Sequence, residues 1–274
     1  MNDAEYIAFL QWALPRLGRR WAGYRKVRWL VAKRLRRRFR ALELGDLAAY
    51  RGWLASHHEE WAALDALLGI PISRFYRDRE VFESIERDVL PALVQAARRA
   101  GRSTLVCWSA GCASGEEPYT LAILWRLRLQ AALPDFSLRI VATDCNPEML
   151  ERARTGRYRA SSLKDLPADL RSAAFEMCNG LICLRREFRV VEFSRQDLRE
   201  TAPAEIFDLV LLRNVVATYY APDIQREMLV RIGGRLQPGG ALVLGMHETL
   251  PDGLEALEPW PGARAIYRRN ASGP

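Results

Sequence analysis

Between residues 104 and 246 the sequence alternates between short apolar runs and amphipathic stretches of helical period, and that alternation limits the fold more than any other feature. Apolar runs at 104–109, 137–143, 188–193, 207–212 and 241–246 read as strands, and the stretches 118–131, 147–154 and 222–236 read as helices. A further helix is expected over 79–99. Strands separated by helices pair in parallel through crossover connections that cover both sheet faces, so the expectation is an α/β fold with a doubly wound, mainly parallel sheet. Ligands bind such sheets beyond the carboxyl ends of the strands. Residues 158–193 interrupt the pattern with short pieces, GLICL and FRVVEF among them, which points to a small β insertion with an edge able to recruit a peptide strand.

The chain ahead of this repeat is helical and very basic. Over 24–42, apolar side chains recur at Val27, Leu30, Val31, Leu35, Phe39 and Leu42, while nine cations fall between Arg25 and Arg40. Like charges at this density repel along a helix unless an anionic surface or facing carboxylates compensate. The face is either solvated or a docking surface for an acidic helix, a nucleic acid or an anionic membrane. Trp29 and Phe39 sit on or beside the apolar stripe and read as core residues rather than base-stacking platforms, which disfavours nucleic acid. Two more helices, over 46–56 and 59–68, complete a bundle that ends near Gly69-Ile70-Pro71. Two domains are expected: a basic helical one over 1–70, and an α/β one over 71–270 that carries the insertion.

Composition narrows the partners. Hydrophobic residues make up 49% of the chain, charged ones 27%, and the formal charge of +8 favours an acidic partner. No apolar run approaches the length of a membrane span and the first residues lack a secretory signal, so a cytoplasmic location is expected. Cys107, Cys112, Cys145, Cys178 and Cys183 lie outside C-x-x-C spacing and only three histidines are present, so the expectation is reduced, mostly buried thiols and no metal site.

The run at 104–109 leads into Ser109-Ala110-Gly111-Cys112-Ala113-Ser114-Gly115-Glu116-Glu117-Pro118, where small residues such as Gly111 let the backbone approach a ligand before a helix starts. Glu116 and Glu117 would oppose a phosphate at this helix N-terminus, which argues against a nucleotide pyrophosphate and for a ligand bearing cationic and hydroxyl groups. S-adenosylmethionine has a sulfonium, an ammonium and a ribose. Asp144, which follows the run at 137–143, stands where a carboxylate accepts both ribose hydroxyls; the alternative is a helix cap for the segment after it.

Taken together, these segments resemble the CheR family of chemotaxis-receptor glutamate methyltransferases over nearly the whole chain. The family's Thr-x-Phe-Phe-Arg appears as Ser73-Arg74-Phe75-Tyr76-Arg77, its Trp-Ser-Ala-Gly-Cys-Ser-x-Gly-Glu-Glu-Pro-Tyr as Trp108 to Tyr119, and its Ala-Thr-Asp as Ala142-Thr143-Asp144. Its Cys-Arg-Asn-Val appears as Leu212-Arg213-Asn214-Val215 and its Leu-x-Pro-Gly-Gly as Leu236 to Gly240. The resemblance implies a class I methyltransferase-like sheet and S-adenosylmethionine as cofactor, with S-adenosylhomocysteine as product. It implies Ser73, Arg77, Glu117, Asp144, Asp197, Leu198, Asn214 and Val215 around that cofactor, with Arg77 also beside the reacting centre. It implies too that the basic helix over 24–42 docks an acidic helical protein such as a chemoreceptor. Three departures stand out: Pro71 replaces a polar Asn, Asp197-Leu198 replaces Asn-Leu, and the segment after Asn214 is longer. Allowing one inserted residue aligns Tyr219 with the family's catalytic Tyr; without it, Thr218 takes the position.

The chemistry that follows is methyl transfer to a side-chain carboxylate. A carboxylate is ionised at pH 7 and needs positioning and partial desolvation rather than a base, the part expected of Arg77 and Tyr219. A hydroxyl or amine acceptor would need deprotonation, with His247 as the candidate base. The competing readings are a methyltransferase for a small metabolite or other nucleophile, and a non-catalytic cofactor-binding module.

Overall fold

The computed structural model describes residues 3–270 and divides into two units. One comprises the chain up to Ile70 together with Val215–Gln225; the other comprises Pro71–Asn214 and the chain from Arg226 onward.

The helical unit begins with α1 (Asp3–Ala13), α2 (Trp21–Tyr24), α3 (Arg28–Ala41), α4 (Leu47–Ser56) and α5 (Glu60–Leu68). The basic segment, expected as one helix, is broken by a turn in which the Val27 N–H donates to the Tyr24 carbonyl at 3.0 Å. Tyr6, Leu10, Tyr24, Val31, Leu35 and Phe39 form its core. Trp29, expected in that core, is 62% exposed. At about 100° per residue it falls on the side of Lys33, Arg36 and Arg40, opposite Val31, Leu35 and Phe39. The cations of α3 divide accordingly. Arg28 pairs with Asp3 at 2.9 Å, Arg34 donates to the Leu67 carbonyl at 2.8 Å, and Arg38 pairs with the buried Glu60, which also accepts the Tyr50 hydroxyl at 2.7 Å. Lys33, Arg36, Arg37 and Arg40 face solvent.

The second unit is the α/β part. It runs α6 (Arg79–Ser84), a wider turn, α7 (Leu90–Arg99), β1 (Thr104–Ala110), α8 (Glu116–Leu124), β2 (Ser137–Asp144), α9 (Pro147–Thr155) and β3 (Arg157–Tyr158). There follow α10 (Ala168–Ala174), β4 (Phe175–Cys178), β5 (Leu181–Leu184), β6 (Val191–Arg195) and β7 (Phe207–Leu211). After α11 (Val216–Tyr219), which belongs to the helical unit, come α12 (Pro222–Gly233), whose residues up to Gln225 belong to that unit as well, β8 (Leu236–Val243), β9 (Leu257–Pro259) and β10 (Ile266–Arg269). The main sheet has the order β6-β2-β1-β7-β8-β10-β9, parallel from β6 to β8 and antiparallel across β10 and β9. The central parallel strands β1 and β7 have the buried, apolar character that two covered faces demand, every residue of β7 being buried, whereas β6 at the sheet edge has no buried residue. The antiparallel pair is absent from the sequence expectation because Leu257–Pro259 and Ile266–Arg269 are too short and too polar to show a period.

The insertion forms a second sheet, β3-β5-β4, whose β4–β5 hairpin turns at Asn179-Gly180 with φ of 48° and 75°, the left-handed pair that an Asn-Gly turn supplies. Phe188 stands in a helical turn ahead of β6 rather than in a strand. The expectation of reduced thiols needs one correction: Cys178 and Cys183 form a disulfide across this hairpin, their Cα atoms 5.9 Å apart. Hairpin pairing sets Cys178 opposite Leu181 and Cys183 opposite Glu176, which leaves the two thiols within diagonal reach, a proximity that residue spacing alone does not reveal. Cys107 and Cys112 are free and buried, whereas Cys145 is exposed.

Candidate active site

The strand order reverses at β1: the chain leaves it toward β2 and β6 and returns to β7 on its other side. Such a reversal opens a crevice at the carboxyl ends of the strands. The loop after β1, Asp144 at the end of β2, Asp197-Leu198 after β6 and Arg213-Asn214 after β7 all lie at those ends.

The loop after β1 is folded tightly against the end of β2. The N–H groups of Gly111 and Cys112 both donate to the Thr143 carbonyl, at 2.8 and 2.9 Å. Gly111 and Gly115 have φ of 77° and 85°, and Ala113 has 47°. The Asp144 carboxylate is fixed by two backbone donors, the Ala113 N–H on one oxygen and the Asn146 N–H on the other, each at 2.8 Å. Asn146, not Asp144, caps α9, its side-chain oxygen accepting from Glu148 and Met149. Asp144 therefore presents lone pairs that the capping alternative would have occupied. Burial raises its pKa against the pull of those two donors.

Glu117 and Glu116 start α8 but point to different tasks. Glu116 is buried, accepts the Ser114 hydroxyl at 2.9 Å and is also hydrogen-bonded by Ser73, so it joins the Ser73 segment to the loop. Glu117 accepts the Ser109 hydroxyl at 2.7 Å and lies 3.4 Å from an Arg213 nitrogen. Burial raises its carboxyl, and Arg213, Ser109 and Arg77 pull it back.

Arg213 is the hub. Its Nη2 donates to the Arg77 carbonyl at 2.6 Å and to Asp78 at 2.8 Å, and its guanidinium lies 4.9 Å from the Phe82 ring centre. Arg77 is anchored further by donating to the Ile72 carbonyl at 3.0 Å. Tyr76, Asp78 and Asn214 all have φ between 57° and 58°, and with Ala113 they are four of the seven non-glycine residues in the left-handed region among the described residues. Backbone strain of this sort persists where surrounding bonds over-determine it, and here it gathers at one crevice.

Asn214 donates its N–H to Glu248 at 2.7 Å, and the same carboxylate accepts the Gly245 N–H at 2.8 Å. A Cβ on Gly245 would come within 2.3 Å of the Asn214 amide nitrogen, so this glycine makes room for the side chain. His247 is exposed beside Glu248. Asp197 accepts from Arg199 at its backbone N–H and its guanidinium, 2.9 and 2.6 Å, and Leu198 is buried. Val215 and Tyr219 belong to the helical unit, where the Tyr219 ring lies 5.1 Å from that of Tyr24.

Arg213, Ser109, Asp78 and Glu248 are functional residues that the sequence does not single out individually. Arg213 had a signal, since it stands inside a recognised four-residue motif; Glu248 had none, because its role depends on a fold-back onto Asn214. The donor set of the crevice is a pair of carboxylates, Glu117 and Asp144, with backbone left close by small residues. It suits a ligand carrying positive charge and hydroxyls and repels one carrying phosphates.

Residues 72–265 match the family described as CheR methyltransferase, SAM binding domain, SAM being S-adenosylmethionine. A chemotaxis protein methyltransferase of Salmonella typhimurium is 33% identical over 259 residues, covering 91% of this chain and 85% of that protein. A probable chemotaxis protein methyltransferase of Rhizobium etli is 33% identical over 231 residues, 81% of this chain and 84% of that one. An uncharacterized 104.1 kDa protein of Rhodobacter capsulatus is 35% identical over 221 residues, and there the match spans 80% of this chain but 23% of the relative.

Proposed function

We propose that this chain, which belongs to the CheR methyltransferase family and uses S-adenosylmethionine, methylates a side-chain carboxylate of an acidic helical protein such as a chemoreceptor. The observation that carries this reading is the solvent-facing row of Lys33, Arg36, Arg37 and Arg40 on α3, a cationic face with an exposed indole, Trp29, in its midst. Charge complementarity of that kind selects an acidic surface and speeds encounter.

In the proposed site, Asp144 accepts from the ribose hydroxyls, Glu117 faces the cationic end of the cofactor, and Ser73, Gly111, Asp197, Leu198, Asn214 and Val215 complete its surroundings. Bound cofactor supplies an electrophilic methyl group on a sulfonium, whose departure as a neutral thioether needs no acid. The residues of the chain then have two tasks. Arg77 holds the attacking carboxylate by charge-assisted hydrogen bonds, and the Tyr219 hydroxyl orients it. The acceptor oxygen gains a bond to carbon without losing a proton, which is why exposed His247 has no part in this scheme.

An ester is the product, and mild alkali should release the transferred methyl group as methanol from a chemoreceptor cytoplasmic fragment used as acceptor. A methyl group that survives alkali, together with inactivation by His247→Ala, would replace the carboxylate with a hydroxyl or amine acceptor.

A further inference from the structure

Residues 215–225 lie in sequence between two parts of the α/β unit, yet they are fastened to the helical one. The backbone makes the first connection. The Arg20 N–H donates to the Tyr219 carbonyl and the Ala221 N–H to the Gly18 carbonyl, both at 2.9 Å, on either side of an antiparallel bridge between Arg19 and Tyr220.

The second connection is a guanidinium. Arg20 donates from Nε to the Thr218 carbonyl at 3.1 Å and from Nη2 to the Ala217 carbonyl at 2.5 Å. These carbonyls belong to α11, a helix of four residues. So short a helix has no stability of its own, and a fixed cation both satisfies its last carbonyls and opposes the negative end of its dipole. A planar fork spanning two successive carbonyls also fixes direction, which a lysine ammonium does less well.

The third is the lack of a side chain. A Cβ at Gly23 would stand 2.2 Å from the Thr218 carbonyl oxygen and 3.1 Å from the Tyr219 ring. Any larger residue must push away the backbone that carries Tyr219.

We infer that Arg20 and Gly23 are positioning residues for Tyr219, fixing its phenol to the same unit that bears the cationic face of α3. The inference rests on the reading of Tyr219 as the residue that orients the acceptor. Turnover thereby depends on a mainly backbone clamp almost 200 residues away in sequence.

A double-mutant cycle tests it, with methanol released by alkali from a chemoreceptor cytoplasmic fragment as the measure of turnover. Arg20→Ala and Gly23→Ala should each lower kcat about tenfold, leaving KM for the fragment and the Kd for S-adenosylmethionine within about twofold. Arg20→Lys should recover part of the loss. In a Tyr219→Phe background, Arg20→Ala should add nothing, because the group it positions is already gone. An equal loss in both backgrounds, or a loss that appears in Kd or KM, would make Arg20 a general structural residue and overturn the inference. If Gly23→Ala lowers the thermal midpoint severely, the Arg20 cycle still decides. Full turnover by Tyr219→Phe would remove the phenol's role and the inference with it, whereas an alkali-stable product would sink the carboxylate reading alone.

Discussion

Asp144 receives two backbone N–H groups on its two oxygens, so its carboxylate is oriented by the protein alone. Asp144→Ala should therefore raise the Kd for S-adenosylmethionine by at least about tenfold, the loss expected when buried hydroxyls are left without their acceptor. Calorimetric titration measures this, and unchanged affinity would take Asp144 out of the site. Glu117 and Asp144 also make a pH prediction. Burial raises both carboxyls above their ordinary values of 4.5 and 3.8. With a raised folded pKa, their contribution to folding is full below the ordinary value and lost as pH rises through the raised one. Binding of a cationic cofactor has the opposite slope, because it needs the ionised forms. Affinity should fall on acidification from neutrality, before exposed carboxylates titrate. Arg213→Gln removes a cation that pulls Glu117 down, so it should move that fall to higher pH, and Glu117→Gln should flatten it. A midpoint unmoved by Arg213→Gln would show that the pair does not control the affinity.

At the scale of the element, α3 separates its cations by task. Arg38 neutralises Glu60, which is 3% exposed and also bonded to Tyr50. Arg38→Ala should destabilise the protein by about 2 kcal/mol, less than a fully buried pair would lose because Arg38 itself is partly solvated; urea unfolding reads this directly. Lys33, Arg36, Arg37 and Arg40 hold nothing comparable in place. Reversing Arg36, Arg37 and Arg40 to Glu should raise KM for an acidic protein acceptor severalfold, more at low salt, with cofactor affinity intact. Equal KM at low salt would reduce the face to a solvated surface. The period of three to four identified the buried stripe of α3 from sequence. It misassigned Trp29 because an indole counts as apolar wherever it stands, whereas at about 100° per residue position 29 lies on the cationic side and not on the stripe.

Across the whole molecule, the two proposed ligands should leave separate footprints. In hydrogen exchange, S-adenosylmethionine should protect 111–117, 144–146 and 196–198, and a chemoreceptor fragment should protect 25–40 instead; protection of 25–40 by the cofactor alone would contradict this division. Period and turn chemistry in the sequence determined the parallel α/β sheet, its loop after β1, the small β insertion and the basic amphipathic helix, because each is a local pattern that hydrophobic burial must satisfy wherever the chain goes. The linked motifs from Ser73 to Gly240 likewise marked out the family, since they are short and contiguous. Tertiary structure alone decided which residues meet. Arg213 becomes the partner of Glu117 and Asp78 only when β7 lies beside β1, and Glu248 reaches Asn214 only when the chain after β8 folds back. The same holds for the disulfide and for the segment 215–225, which joins the helical unit through backbone carbonyls and a missing Cβ. The carbonyls in those contacts carry no residue code, since every residue has one, and which arginine, glycine or cysteine meets its partner is set by long-range pairing rather than by local pattern.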